Sequence, residues 1–201
     1  MSTEVIFRIL AFLLIGGAVA ISGTFRRRAD RADQKMDFKA ENPWLLKLRG
    51  IAALTFYLGM LVYLIYPPLI AWAAIPAWPL ALRWLGLALM ALMLPLLYWM
   101  FASLGKNITP TVKTRSGHEL VTDGPYRYIR HPLYTFGSLF FFGFCLLAGN
   151  ALLLVSAVIA LSALSARTPF EEQMLIERFG DQYKEYMKRT GRYFPKLRLT
   201  P

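Results

Sequence analysis

The sequence predicts an all-α integral membrane protein of about five transmembrane helices, with a polar loop and a carboxyl-terminal helix lying outside the bilayer. Three observations carry this reading. Of 201 residues, 56% are hydrophobic and only 17% charged. The apolar residues come in runs near twenty long, not in a periodic scatter, which is enough to cross a hydrocarbon core roughly 30 Å thick. The lysines and arginines, which bring the formal net charge to +11, fall in the gaps between those runs.

The first run, Val5 to Thr24, is interrupted only by Arg8 and ends at Arg26-Arg27-Arg28. Ala18-Val19-Ala20 resembles a signal-peptidase site, but Glu4 neutralises the amino-terminal region and the basic cluster follows the run, so a retained helix is preferred. The second run extends from about Trp44 to Tyr66 and stops at Pro67-Pro68. Leu69 to Pro79 carries no charge and reads as a short interfacial excursion, with Trp72 and Trp78 at headgroup level. The third run goes from about Leu80 to Leu104, with Pro95 expected to kink it. The fourth and fifth, Leu133 to Ala148 and Ala151 to Ala166, are separated by Gly149-Asn150 and read as a tight helical hairpin. At sixteen residues each they are roughly 24 Å long and barely span a bilayer. The chain thus divides into residues 1–102, with three amino-terminal helices, and residues 103–201, with the hairpin 133–166 and a carboxyl-terminal amphipathic helix.

With five helices, 21 of the 23 lysines and arginines lie on one side. Only Arg8 and Arg83 remain, near helix ends where they can snorkel. The positive side is cytoplasmic, so the amino terminus is expected outside and the carboxyl terminus inside. Nucleic acid as a partner is disfavoured, because it needs a basic face on a soluble fold; anionic lipid headgroups explain the charge more simply. The run from Arg26 to Arg31 reads as solvated headgroup contacts. Cys145, the one cysteine, lies within an apolar run and offers neither a disulfide nor a cysteine-based metal site.

Polar chemistry is expected where ionisable groups gather against apolar helices. One such segment runs from Leu104 to Tyr134 and holds both histidines, His118 and His131, with Tyr126, Arg127, Tyr128, Arg130 and Tyr134. The other is Arg167-Thr-Pro-Phe-Glu-Glu172, directly after the hairpin, so the two segments should face each other. Bland readings stand beside these. Thr168 to Glu171 reads equally as a capping box, with Thr168 as N-cap, Pro169 at the first helical position and Glu171 at the third. His131-Pro132 reads as a helix start, and Tyr134 as an interfacial anchor.

The order of the motifs goes further. Leu104-Gly105, His118-Glu-Leu-Val121, Gly124-Pro-Tyr126, Arg130-His-Pro-Leu-Tyr134, Glu171-Glu172 and Phe179-Gly-Asp-Gln-Tyr-Lys-Glu-Tyr186 closely resemble the isoprenylcysteine carboxyl methyltransferase family, a broad family that includes phospholipid methyltransferases. The resemblance spans about residues 103–195. It implies a methyltransferase core in which S-adenosylmethionine lies in a cytosolic pocket closed by the loops and the last helix. By position, His118, Glu119, Leu120, Val121, Tyr126, Arg130, His131, Pro132, Leu133, Tyr134 and Glu171 look like cofactor contacts. Arg167 matches an arginine on the substrate side, and Glu172 completes the paired acids as a second candidate catalytic group. One departure is Phe136, where the family usually has Gly; Gly137 follows and is assigned no role.

The implied acceptor is lipid-linked or amphiphilic and enters from the bilayer. A carboxylate acceptor needs alignment and charge neutralisation in a low-dielectric pocket. A phospholipid amine also needs a base, for which Glu172 or His131 are the candidates. No metal is expected, since no His, Asp and Glu cluster has ligand spacing. An NADPH-dependent sterol-reductase-like enzyme and a non-catalytic scaffold are the alternatives from other classes.

Overall fold

The computed structural model describes residues 2–30, 43–104 and 120–196. Seven α-helices and two short 3-10 segments make up the described residues: α1 (Thr3–Asp30), α2 (Pro43–Ile65), α3 (Leu80–Leu104), α4 (Pro132–Ala148), α5 (Ala151–Ser165), α6 (Thr168–Phe179) and α7 (Asp181–Arg189). The five apolar helices match the five runs. Thr3–Arg27, Trp44–Ile65, Leu80–Leu104 and the helical stretch Ala151–Phe179 are long and apolar enough to cross a membrane, and Pro132–Ala148 is a shorter apolar helix. Ala18-Val19-Ala20 lies in mid-helix, with Phe7 and Ala11 of the same helix fully buried.

α3 is the central helix. Its buried residues Gly86, Met90, Met93, Leu97, Met100 and Phe101 recur at three- and four-residue intervals, the spacing of one helix face. It runs unbroken through Pro95. Opposite it, α4 buries Phe140, Gly143, Phe144 and Leu147, and α1 packs on another side of α3. α2 packs chiefly on α5. The hairpin is therefore not a self-contained pair: each arm leans more on another helix than on its partner, although the short turn still returns α5 to the end where α4 begins.

That turn has a specific construction. Gly149 takes φ +58° as the left-handed residue ending α4, and a Cβ there would meet the Trp78 ring at 2.5 Å; glycine accepts both conditions. Asn150 caps α5 by accepting from the Leu153 N–H at 3.3 Å and donates to the Ile70 carbonyl at 2.9 Å. The last carbonyls of α4, which have no partner within the helix, are met from outside it. Trp78 Nε1 donates to Leu146 O at 2.7 Å and Arg83 Nε to Leu147 O at 2.9 Å.

Two side chains at this end have further partners. Trp78 is tied to the end of α4. Arg83 pairs with both Glu4 carboxylate oxygens, donates to the Tyr63 hydroxyl at 3.0 Å and lies over the Phe7 ring at 4.5 Å. A guanidinium with five donors can hold α1, α2 and α4 together from its seat on α3.

Candidate functional site

At the opposite end, α4 and α6 bring the two polar segments together as their spacing in the sequence required. The capping box, however, does not form. Arg167 occupies the N-cap position of α6 without a side-chain cap bond. The Thr168 hydroxyl instead pairs with the Tyr193 hydroxyl at 2.5 Å, because α6 follows α5 almost directly and Thr168 is fully buried. Glu171 is thereby released from the cap. Its Oε1 accepts from the Tyr134 hydroxyl at 2.8 Å and lies 3.0 Å from Arg167 Nε. His131 Nδ1 stands 3.9 Å from Glu171 Oε2, and its ring stacks on Tyr134 with centroids 5.5 Å apart.

Glu172 points into a knot of basic side chains. Its side chain is 3% exposed. Arg130 Nε donates to it at 2.9 Å, His131 Nε2 lies at 3.4 Å, and Arg192 donates through Nε at 3.1 Å and pairs again through Nη2. Burial alone would raise this carboxyl, but the hydrogen bonds from His131, Arg192 and Arg130, with the Arg130 charge, outweigh it and hold its pKa at about 2. α6 bears these acids directly after α5.

The segment after α7 completes the knot. Residues 128–131 pair with 191–192 in a short parallel bridge at Ile129 and Gly191, where the Arg130 N–H donates to Gly191 O at 2.8 Å and the His131 N–H to Arg192 O at 3.1 Å. Thr135 Oγ1 donates to Tyr193 O at 2.8 Å, and the Tyr186 hydroxyl donates to Tyr126 O at 2.6 Å. Arg192 and Tyr193 were not singled out in the sequence; only the motif ending at Tyr186, which contains Tyr183, pointed to this region.

A cavity of about 680 Å³ opens on this cluster. Of the residues singled out in the sequence, Leu120, Val121, Tyr126 and Arg130 line it, followed by His131, Pro132, Leu133 and Tyr134. Arg167 and Glu171 form the facing wall, with Tyr183 and Tyr186 of α7 beside them. Glu172 is not among the lining residues. Gly137 is, and a Cβ there would have open space, while Phe136 packs into the core. His118 and Glu119 lie outside the described residues. Among the described residues no group of His, Cys, Asp and Glu has metal-binding geometry.

The fold is similar to that of a solved membrane enzyme. The structure of the eukaryotic intramembrane Ras methyltransferase ICMT (isoprenylcysteine carboxyl methyltransferase) matches with a TM-score of 0.57 at 22% identity, over 92% of this chain and 67% of that one. The family model for phospholipid methyltransferases matches residues 81–182, slightly more than half of the chain, and the chain belongs to that family. It is accordingly a membrane methyltransferase. The matched segment takes in α3 as well as the carboxyl-terminal motifs, and leaves α1 and α2 outside it. No curated protein gives a significant sequence match.

Proposed function

We propose that the chain binds S-adenosylmethionine at the polar end of the cavity and methylates an amphiphilic acceptor that enters from the bilayer. The observation that carries this is the meeting of His131, Tyr134, Arg167 and Glu171 on one cavity that continues between the apolar helices α1 to α5. The donor set suits the cofactor. Glu171 offers a carboxylate to an amino group or ribose hydroxyls, and Tyr126, Leu120, Val121 and Leu133 offer an apolar wall for a base. His118 and Glu119 join them on the resemblance alone.

When bound, S-adenosylmethionine supplies a methyl group activated by its sulfonium. The chain's own task is then alignment and exclusion of water. Arg167, already paired with Glu171, orients a carboxylate acceptor by charge-assisted hydrogen bonds. Such an acceptor needs no base, which agrees with a cavity lined, among the described residues, by three arginines and a single acid that is itself tied to Tyr134 and Arg167. Glu172, with a carboxyl held at about 2, is too weak a base to take a proton. Its role in this reading is to position Arg130 and His131. A phospholipid amine is the second reading, favoured by the family match; His131 then accepts the proton.

The positive-inside distribution supports an amino terminus outside, with the site and the carboxyl terminus cytoplasmic. Calorimetry on detergent-purified protein tests the proposal. S-adenosylhomocysteine is expected to bind with one site per chain. Protection by NADPH in its place favours the reductase reading, and binding of neither favours the scaffold.

A further inference from the structure

The cavity does not end with the family-matched segment. From α1 it is lined by Ile15, Ala18, Val19, Ser22 and Arg26, whose three- and four-residue spacing places them on one helix face. The rise from Ile15 to Arg26 makes this stripe roughly 16 Å long, about half the hydrocarbon thickness. From α2 come Tyr57 and Met60, one turn apart. α1 packs chiefly on α3 and only sparsely on α2. Val19 is 66% exposed and Tyr57 49% exposed, although both line the cavity. The cavity therefore opens sideways between α1 and α2, toward lipid. Arg26 stands at the polar end of this cleft.

We propose that the α1–α2 cleft is the acceptor arm and that Arg26 selects for an acidic headgroup. The chain of the amphiphile lies along Ile15, Ala18 and Val19, and Arg26 first captures its carboxylate or phosphate at the polar end of the cleft, from which a carboxylate acceptor passes on to Arg167. Charge complementarity carries the assignment. Among the described lining residues the acid is Glu171, already engaged by Tyr134 and Arg167, so no described carboxylate of the cavity competes for Arg26. A neutral headgroup gains nothing there. Arg26 thus separates from the basic run it heads, which the sequence assigns to general headgroup contact. The inference rests on the cavity being that of a methyltransferase, and gives the two helices outside residues 81–182 the task of choosing the acceptor.

The test uses three fluorescent probes in detergent: cis-parinaric acid, a pyrene-labelled phosphatidic acid and a pyrene-labelled neutral alcohol. Each is titrated with and without S-adenosylhomocysteine. Arg26→Gln is expected to weaken the favoured acidic probe roughly tenfold, the loss of one charged hydrogen bond, with the alcohol and S-adenosylhomocysteine unaffected. Arg26→Lys keeps most of the preference. Val19→Trp, which fills the cleft, weakens all three probes and spares S-adenosylhomocysteine. Preference for parinaric acid identifies a carboxylate, and preference for phosphatidic acid identifies a phosphate. Wild-type binding of the acidic probes by both Arg26→Gln and Val19→Trp overturns the proposal, whether or not S-adenosylhomocysteine binds. Failure of the wild type to bind S-adenosylhomocysteine, with the probe pattern intact, counts against the cofactor reading and leaves the acceptor arm supported.

Discussion

The Tyr134 hydroxyl donates to Glu171 Oε1 at 2.8 Å, joining the first turn of α4 to the first turn of α6. That bond, with Arg167 on the same oxygen, holds the carboxylate at the cavity wall and away from the helix cap that the sequence equally allowed. Glu171→Ala is expected to reduce S-adenosylhomocysteine affinity by about a hundredfold, since it removes a charged acceptor. Its melting temperature should change little, because no cap is lost. Arg167→Ala should retain binding and lose turnover, and Tyr134→Phe should fall between them. A Glu171→Ala protein that binds normally but melts early would assign the carboxylate to structure.

Glu172 makes acid stability diagnostic. Its carboxyl sits at about 2 in the fold against an ordinary 4.5, so on acidification the unfolded chain takes up the proton first. The stabilisation is whole above about 4.5 and is lost as pH falls toward 2. Scanning fluorimetry between pH 7 and pH 3 should show the wild-type melting temperature declining below that point. Glu172→Gln should melt lower at pH 7, because buried Arg130 loses its carboxylate at a cost of roughly 3–5 kcal/mol, and its profile should be flatter. A wild-type profile without the decline would contradict the ion-pair account.

The membrane helices were legible because hydrocarbon thickness imposes run length, and the third run matches α3 residue for residue. The facing of the two polar segments was legible for a similar reason: a two-residue turn between short helices returns the chain to its starting level. What sequence could not reveal were contacts that depend on three-dimensional neighbours. Arg83 looks like any arginine near a helix end until α1 brings Glu4 beside it. Arg192 and Tyr193 lie past the last periodic helix, where no pattern marks them, and gain meaning only through pairing with residues 128–131. The capping box failed because its local rule assumes a free helix start, whereas α6 follows α5 almost directly.

The contact between α3 and α4 depends on two glycines. A Cβ on Gly86 would meet Gly143 O at 2.3 Å and Leu147 N at 2.6 Å, both backbone atoms that cannot swing aside. Close helix approach at small residues drives association within the bilayer. Gly86→Ala is expected to cost roughly 1–3 kcal/mol by overpacking and to lower the melting temperature in detergent. Gly16→Ala, where a Cβ meets nothing within 4 Å, serves as the control and should be neutral or slightly stabilising. Equal melting temperatures for the two variants would mean that the helices separate without penalty.

Tyr193 fastens the carboxyl-terminal segment over the site from three directions. Its hydroxyl pairs with Thr168 at 2.5 Å and reaches Ser165 O at 3.3 Å, its carbonyl accepts from Thr135, and its ring lies 6.0 Å from that of His131. Tyr193→Phe removes only the hydroxyl and strands the buried Thr168 hydroxyl, so a loss of roughly 1–3 kcal/mol in stability is expected. Tyr193→Ala also removes the ring beside His131, and should further raise the S-adenosylhomocysteine dissociation constant, because the wall formed by His131 and Tyr134 loses its backing. Titration of both variants by calorimetry separates the two contributions. If Tyr193→Ala binds as tightly as Tyr193→Phe, the ring does not support the site and the segment acts on stability alone.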